Sequence, residues 1–137
     1  MLEGSELTSL LYVSHSLVRD TDSVRQIVTA SRLRNARLGV TGALASVGDR
    51  FAQVLEGAPA SIDELMGDIA VDPRHEKVDV LFCRPIGQRD FARWALAYWS
   101  LASATSARAR GAMDIAIAAA DGGDADALYE LIRSKSL

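Results

Sequence analysis

Apolar and polar positions alternate with a period of two over Leu7–Ser14, Val40–Val47, Phe51–Gly57, Lys77–Cys83 and Phe91–Tyr98, which predicts five strands. In the first, Leu11 and Val13 share one face, and Leu10, Tyr12 and Ser14 share the other. In the third, Phe51, Gln53 and Leu55 lie opposite Ala52, Val54 and Glu56. In the fourth, Val78, Val80 and Phe82 alternate against Asp79. Helical spacing replaces the period of two in between. A first helix starts at Asp20, Thr21 or Asp22, each a competent N-cap, and runs to about Arg34. Its apolar stripe is Val24, Ile27 and Val28, continued by Ser31 and Asn35, and Gly39 supplies a left-handed stop. A second helix has Pro59 in its first turn and a capping-box spacing at Ser61 and Glu64. Ile62, Leu65, Met66 and Ile69 form its apolar face, and Asp72-Pro73 ends it.

Gly48-Asp49 is a tight-turn signal, so strands two and three form an antiparallel hairpin. The order βαββαββ predicts an α+β, ferredoxin-like fold with a five-stranded mixed sheet and both helices on one face. On this plan strands one and three are adjacent and parallel at the centre. After Leu101 the chain turns alanine-rich, with helices expected over residues 106–120 and, past the Gly122-Gly123 break, over 124–134. Their role is to cover the second face, where Leu11, Val13, Ala52 and Val54 would otherwise meet water. The expected division is therefore residues 1–100 as the principal domain and 101–137 as a helical extension packed on its sheet.

A chain of 137 residues, about half of them apolar, builds a core without disulfides or metal. The net charge of −3 argues against a nucleic-acid partner, which favours a basic face. The one cysteine, Cys83, falls in an apolar run and reads as a core residue of a reducing compartment. The start of the chain has neither a basic leader nor a long apolar run, so the expectation is a soluble, cytoplasmic protein with no membrane partner. His15 and His75 have no metal-ligand spacing.

Gln53 changes the picture. An amide between two large apolar side chains needs partners, because burying it unpaired costs about 1–3 kcal/mol. Tyr12, Ser31 and Asn35 point into the same layer. One such residue is ordinarily satisfied by backbone or water, whereas four together suggest a pocket for a flat polar ligand with several heteroatoms. Asp72 and Arg74 read equally well as a helix stop with a salt bridge.

LLYVS around Tyr12, RNARLGVTGAL from Arg34, FAQVLEG, DPRH from Asp72 and FARW from Phe91 together resemble the BLUF family of blue-light sensors, in order and spacing over Leu7 to about Tyr98. The resemblance implies non-covalent binding of FAD, or sometimes FMN. It makes Tyr12 the electron and proton donor beside the flavin and Gln53 the switching amide between them. Asn35 falls on the asparagine that bonds the ring's polar edge, Ser31 on a pocket serine, and Asp72, Arg74 and His75 on a polar cluster near the flavin. Trp94 and Leu96 fall on the positions that relay the signal, although the second is commonly methionine in that family. Arg34 stands where relatives often carry Asn or His. The implied output is signalling through a downstream protein partner or a homo-oligomer, without enzymatic turnover. Two alternatives stand beside it: a BLUF-like interaction module that no longer senses light, suggested by Leu96, and a small acylphosphatase-like hydrolase using Arg19 and Asn35.

Overall fold

The computed structural model describes residues 6–18, 20–47, 49–100 and 125–136. In chain order the elements are β1 (Leu7–Ser16), α1 (Thr21–Leu38), β2 (Thr41–Val47), β3 (Arg50–Gly57), α2 (Pro59–Ala70), β4 (His75–Ile86), β5 (Ala97–Ser100) and α3 (Ala125–Ser136). The strands form one mixed sheet in the order β4-β1-β3-β2-β5. The βαββαββ plan is thus the observed one, with β1 and β3 at the centre.

The two central strands run antiparallel, not parallel. The reason is topological: the crossover through α1 lays β2 in the direction of β1, and the hairpin then returns β3 between them, opposed to both. The parallel pairing that makes the sheet mixed lies at its edge, between β2 and β5. Gly42 in β2 tolerates no side chain, since a Cβ there would fall 2.0 Å from the carbonyl oxygen of Val54.

Asp20 is the cap of α1, its carboxylate accepting from the Ser23 N–H at 2.8 Å. The helix runs four residues past Arg34 and ends at Gly39, whose φ of 70° is the left-handed conformation expected of it. Helix α2 starts on Ala58 with Pro59 next, and no side chain caps it. The Ser61–Glu64 capping box does not form, because the proline's fixed φ begins the helix before Ser61 is reached.

Strand β4 is longer than the alternation predicts and carries two register shifts against β1. The pairing steps from Leu11–Phe82 to Tyr12–Val80, so Leu81 is an extra residue. Val78 accordingly packs with the α1/α2 side and Phe82 with the opposite side, rather than both on one face. The second irregularity holds Lys77 at φ 55°. Cys83 is exposed rather than buried, and lies on β4, the edge strand of the sheet. Strand β5 begins only at Ala97, so Phe91–Leu96 is a connecting segment with its own turns.

Two cores result. Ile62, Leu65 and Ile69 of α2 pack with Leu10, Tyr12, Val40 and Leu55, while Ile27 and Val28 of α1 pack with Leu44, Phe51 and Leu96. On the other face, Leu128, Tyr129 and Ile132 of α3 cover Leu11, Val13, Ala52 and Val54. The covering expected of the last helix is therefore present; the helix expected over 106–120 lies outside the described residues.

Candidate functional site

Three parts of the fold wall a cleft beside the sheet. Helix α1 contributes Ile27, Ser31 and Arg34, which helical spacing stacks on one side. The strands contribute Tyr12, Leu44, Phe51 and Gln53, and the end of α2 with the turn into β4 contributes Ile69, Asp72, Arg74 and His75. Open space in the cleft amounts to about 360 Å³, solvent at its mouth included.

At its floor, Tyr12 and Gln53 are direct partners in the β1–β3 ladder. The Tyr12 hydroxyl donates to Oε1 of Gln53, and both side chains are buried, at 3% and 4% exposure. Since Oε1 is taken by Tyr12, the amino group of Gln53 is the half left to serve a ligand. Burial pushes the Tyr12 phenol well above its ordinary range, the charge of Arg34 opposes this, and the Asp72 carboxylate adds to it. Tyr12 is therefore a neutral donor in the folded protein.

Asn35 lies deeper along α1, fully buried, and its Nδ2 donates to the Ala95 carbonyl at 2.8 Å. Its Oδ1 has no hydrogen-bond partner, nor has Nε of the neighbouring Arg34. A buried amide oxygen without a donor costs about 1–3 kcal/mol unless something supplies one. A flavin fits this donor set: its ring carries an imide N–H for an orphan acceptor and several acceptors for an arginine and a glutamine amide.

The turn after α2 is built by a bidentate pair. Nε and Nη2 of Arg74 donate to the Asp72 carboxylate at 2.9 and 2.7 Å, and the Arg74 backbone N–H adds a third bond at 2.9 Å. Hydrogen bonding to Arg74 holds the Asp72 carboxyl below its ordinary value, and the same pairing raises Arg74. His75 bridges sheet and helix: Nε2 donates to the Ile69 carbonyl at 2.8 Å and Nδ1 shares a 2.8 Å bond with Ser14 Oγ. Its ring stands edge-on to Tyr12 and Phe51, at centroid separations of 6.2 and 6.4 Å.

The fold thus brings Tyr12, Ser31, Arg34, Gln53, Asp72, Arg74 and His75 to one cleft, with Asn35 just beyond its wall. It separates the pair after Phe91: Leu96 is buried on the cleft side with Leu44 and Phe51, whereas Trp94 packs against the α3 core. The sequence reading misses Arg32, whose Nε donates to the Leu96 carbonyl at 3.0 Å. It also misses the role of Glu56, fully buried and accepting from Thr41 Oγ1 and from the N–H groups of Asp90 and Phe91, at 2.7 to 3.0 Å. An acid sharing a face with Ala52 and Val54 is the signal that could have revealed it. Of the hydrolase pair, Arg19 lies outside the described residues, and Asn35 is engaged with Ala95. No helix among the described residues is long and apolar enough to cross a membrane.

A family model described as BLUF, sensors of blue-light using FAD, matches residues 7–97. The photoactivated adenylate cyclase subunit beta of Euglena longa is 38% identical over 103 residues, 74% of this chain and 11% of that protein. The blue light- and temperature-regulated antirepressor BluF of Escherichia coli K12 is 34% identical over 98 residues, 69% of this chain and 24% of that protein. The chain thus spans only about a tenth to a quarter of the length of these curated relatives. The dark-state structure of the BLUF protein BlrB superposes with a TM-score of 0.76 at 31% identity, covering 96% of this chain and 98% of that one. Klebsiella pneumoniae BlrP1, solved with FMN and cyclic diGMP, gives 0.64 at 32% identity over 69% of this chain and 26% of its own.

Proposed function

The chain belongs to the BLUF family of flavin-binding blue-light sensors, and from that premise we propose that Tyr12 and Gln53 form its light-driven switch, with the cleft above them holding the flavin. The observation that carries this reading is the buried hydrogen bond from Tyr12 to Gln53 at the floor of a cleft walled by polar side chains.

When bound, FAD supplies blue-light absorption and an excited ring that accepts an electron. Asn35 Oδ1 and Arg34 Nε, buried and without partners, would hold the ring's polar edge. Ser31 and the Asp72–Arg74–His75 turn would line the rest. Tyr12 gives up an electron, and because its phenol is held neutral, the hydroxyl proton leaves with it along the existing bond to Gln53. Gln53 is suited to receive it, since an amide presents an acceptor and donors at one site and can rotate or tautomerise to exchange them. Its hydrogen bonds would then stand reversed, the amide donating where it had accepted. A glutamate or leucine could not make that exchange.

The absorption spectrum before and after blue light tests this. A yellow protein that reversibly shifts to longer wavelength is expected, with the shift absent in Tyr12→Phe and in Gln53→Leu. A colourless protein after addition of FAD, or a shift that survives in both variants, overturns the assignment. Residues 1–100 act as the sensor unit and 101–137 as its helical extension, working without turnover through a protein partner or a second copy. Leu96 supports a second reading, a module that docks proteins without photochemistry, and a normal photocycle would exclude it.

A further inference from the structure

One short segment, Asp90–Leu96, is bonded to α1, β2, β3 and α3. Three consecutive carbonyls at its far end are gripped from the cleft side: Trp94 by the Gly42 N–H at 3.3 Å, Ala95 by Asn35 Nδ2 at 2.8 Å and Leu96 by Arg32 Nε at 3.0 Å. Asn35 and Arg32 are three residues apart on α1 and therefore share a face. At the near end, the Glu56 carboxylate takes the N–H groups of Asp90 and Phe91 at 2.7 and 3.0 Å. Glu56 is three residues along β3 from Gln53. The side chains of the near end turn the other way, toward α3. The Tyr129 hydroxyl donates to the Asp90 carboxylate, and the Phe91 and Tyr129 rings meet edge to face at 6.3 Å. Tyr129 is a buried member of the α3 core.

We infer that Tyr129 is a positioning residue for the flavin cleft, fastening α3 through Asp90 to the strap whose other end Asn35 and Arg32 hold. The far-end carbonyls of the strap are held from α1 and β2 and its near end is bonded to α3, with Trp94 of the far end also packed against the α3 core, so loosening either end changes how firmly the other is held. A second attachment of α3 serves as the contrast. Arg84 pairs with Asp126 at 3.0 Å and stacks on Phe82 at 3.9 Å; its guanidinium also lies 5.8 Å from the Tyr129 ring, so the contrast is the Arg84–Asp126 ion pair alone. Both attachments help dock α3, but only one runs to the cleft. Burial and the Asp90 carboxylate hold the Tyr129 phenol above its ordinary range, which keeps it a donor.

The inference builds on the cleft assigned above, yet its test needs no light. Amide hydrogen exchange of α3 is followed in the dark on the full chain as purified. Arg32→Ala, a substitution of an exposed side chain, and Asn35→Ala each free the far end of the strap. Each is expected to speed exchange at Leu128–Ile132 about threefold or more, and that increment is expected to vanish in a Tyr129→Phe background. Asp90→Asn, which keeps an acceptor oxygen, should retain the increment, whereas Asp90→Ala should lose it. In an Asp126→Asn background, which removes the Arg84 ion pair and leaves Arg84 beside Tyr129, the increment should persist. Effects of Arg32→Ala and Tyr129→Phe that multiply independently would overturn the inference, as would strap variants that leave α3 exchange unchanged. A missing light-induced red shift would instead sink the photochemical assignment and leave this result standing.

Discussion

Along β1 and β3, alternate positions serve different chemistries. On the side of α3, Leu11, Val13, Ala52 and Val54 meet Leu128, Tyr129 and Ile132 in an apolar core. On the side of α1 and α2, the next residues along the same strands include Tyr12 and Gln53, with Ser31 of the helix lining the same cleft and Asn35 buried one turn farther along. Both layers are buried. What separates Glu56 on the first side from Asn35 on the second is how completely each is satisfied. Glu56, the one fully buried carboxylate among the described residues, has three donors on its two oxygens and serves as structural glue. Asn35 keeps one end of its amide bonded and the other bare, as does a residue whose remaining partner is a ligand.

The sharpest way to separate the layers is to empty one. Leu11→Ala should cost about 2–5 kcal/mol in denaturant unfolding, because a fully buried leucine leaves a cavity that neighbours fill only in part. If the layers differ as described, the surviving folded protein still shows the light-induced red shift. Loss of flavin binding with little loss of stability would contradict it.

On the cleft side the order of effects reverses. Gln53→Leu should abolish the shift while costing about 1–3 kcal/mol, most of it from the Tyr12 hydroxyl left without an acceptor. In a Tyr12→Phe background the same change should be nearly neutral, since neither polar partner then remains. A double-mutant cycle in urea reads the difference, and an unchanged cost in that background would show that Gln53 is held by something else.

Asp72 predicts a smaller, pH-dependent effect. Its carboxyl is held below the ordinary value near 3.8, chiefly by the hydrogen bonds from Arg74. The stabilisation is therefore fully present above that value and is lost as pH falls through the lower folded one. Arg74 is partly exposed, so the pair contributes no more than about 1 kcal/mol. Asp72→Asn should flatten the acid limb of a stability profile below the ordinary carboxylate value and leave neutral stability within that margin. A profile unchanged by the substitution would show that Asp72 does not contribute.

The mildest test concerns Leu96, buried between Leu44 and Phe51. Leu96→Met conserves volume and should change stability by less than about 1.5 kcal/mol. It should alter the rate of dark recovery while leaving the size of the red shift intact. An unchanged recovery rate would remove Leu96 from the signalling route.

Local pattern was enough for much of the protein. Period two placed Tyr12 and Gln53 on the faces they occupy, helical spacing put Ser31 and Asn35 on the same stripe as Ile27, and Gly39 ended α1 because its left-handed conformation is a property of one residue. Motif order carried the family. Three features required the folded chain. The direction of β3 against β1 follows from how α1 crosses the sheet, which alternation along a strand does not encode. The flip of Phe82 away from Val78 comes from one inserted residue in a ladder, and a single strand's sequence reads through it unchanged. Trp94 and Leu96 share a period-two phase, yet they end on opposite sides because their segment is not a strand at all. The carbonyls of Trp94, Ala95 and Leu96 are taken by Gly42, Asn35 and Arg32, and the N–H groups of Asp90 and Phe91 by Glu56. Backbone polar groups accept whichever partner the fold delivers, so a segment held by side chains far away in sequence leaves little trace in its own residues.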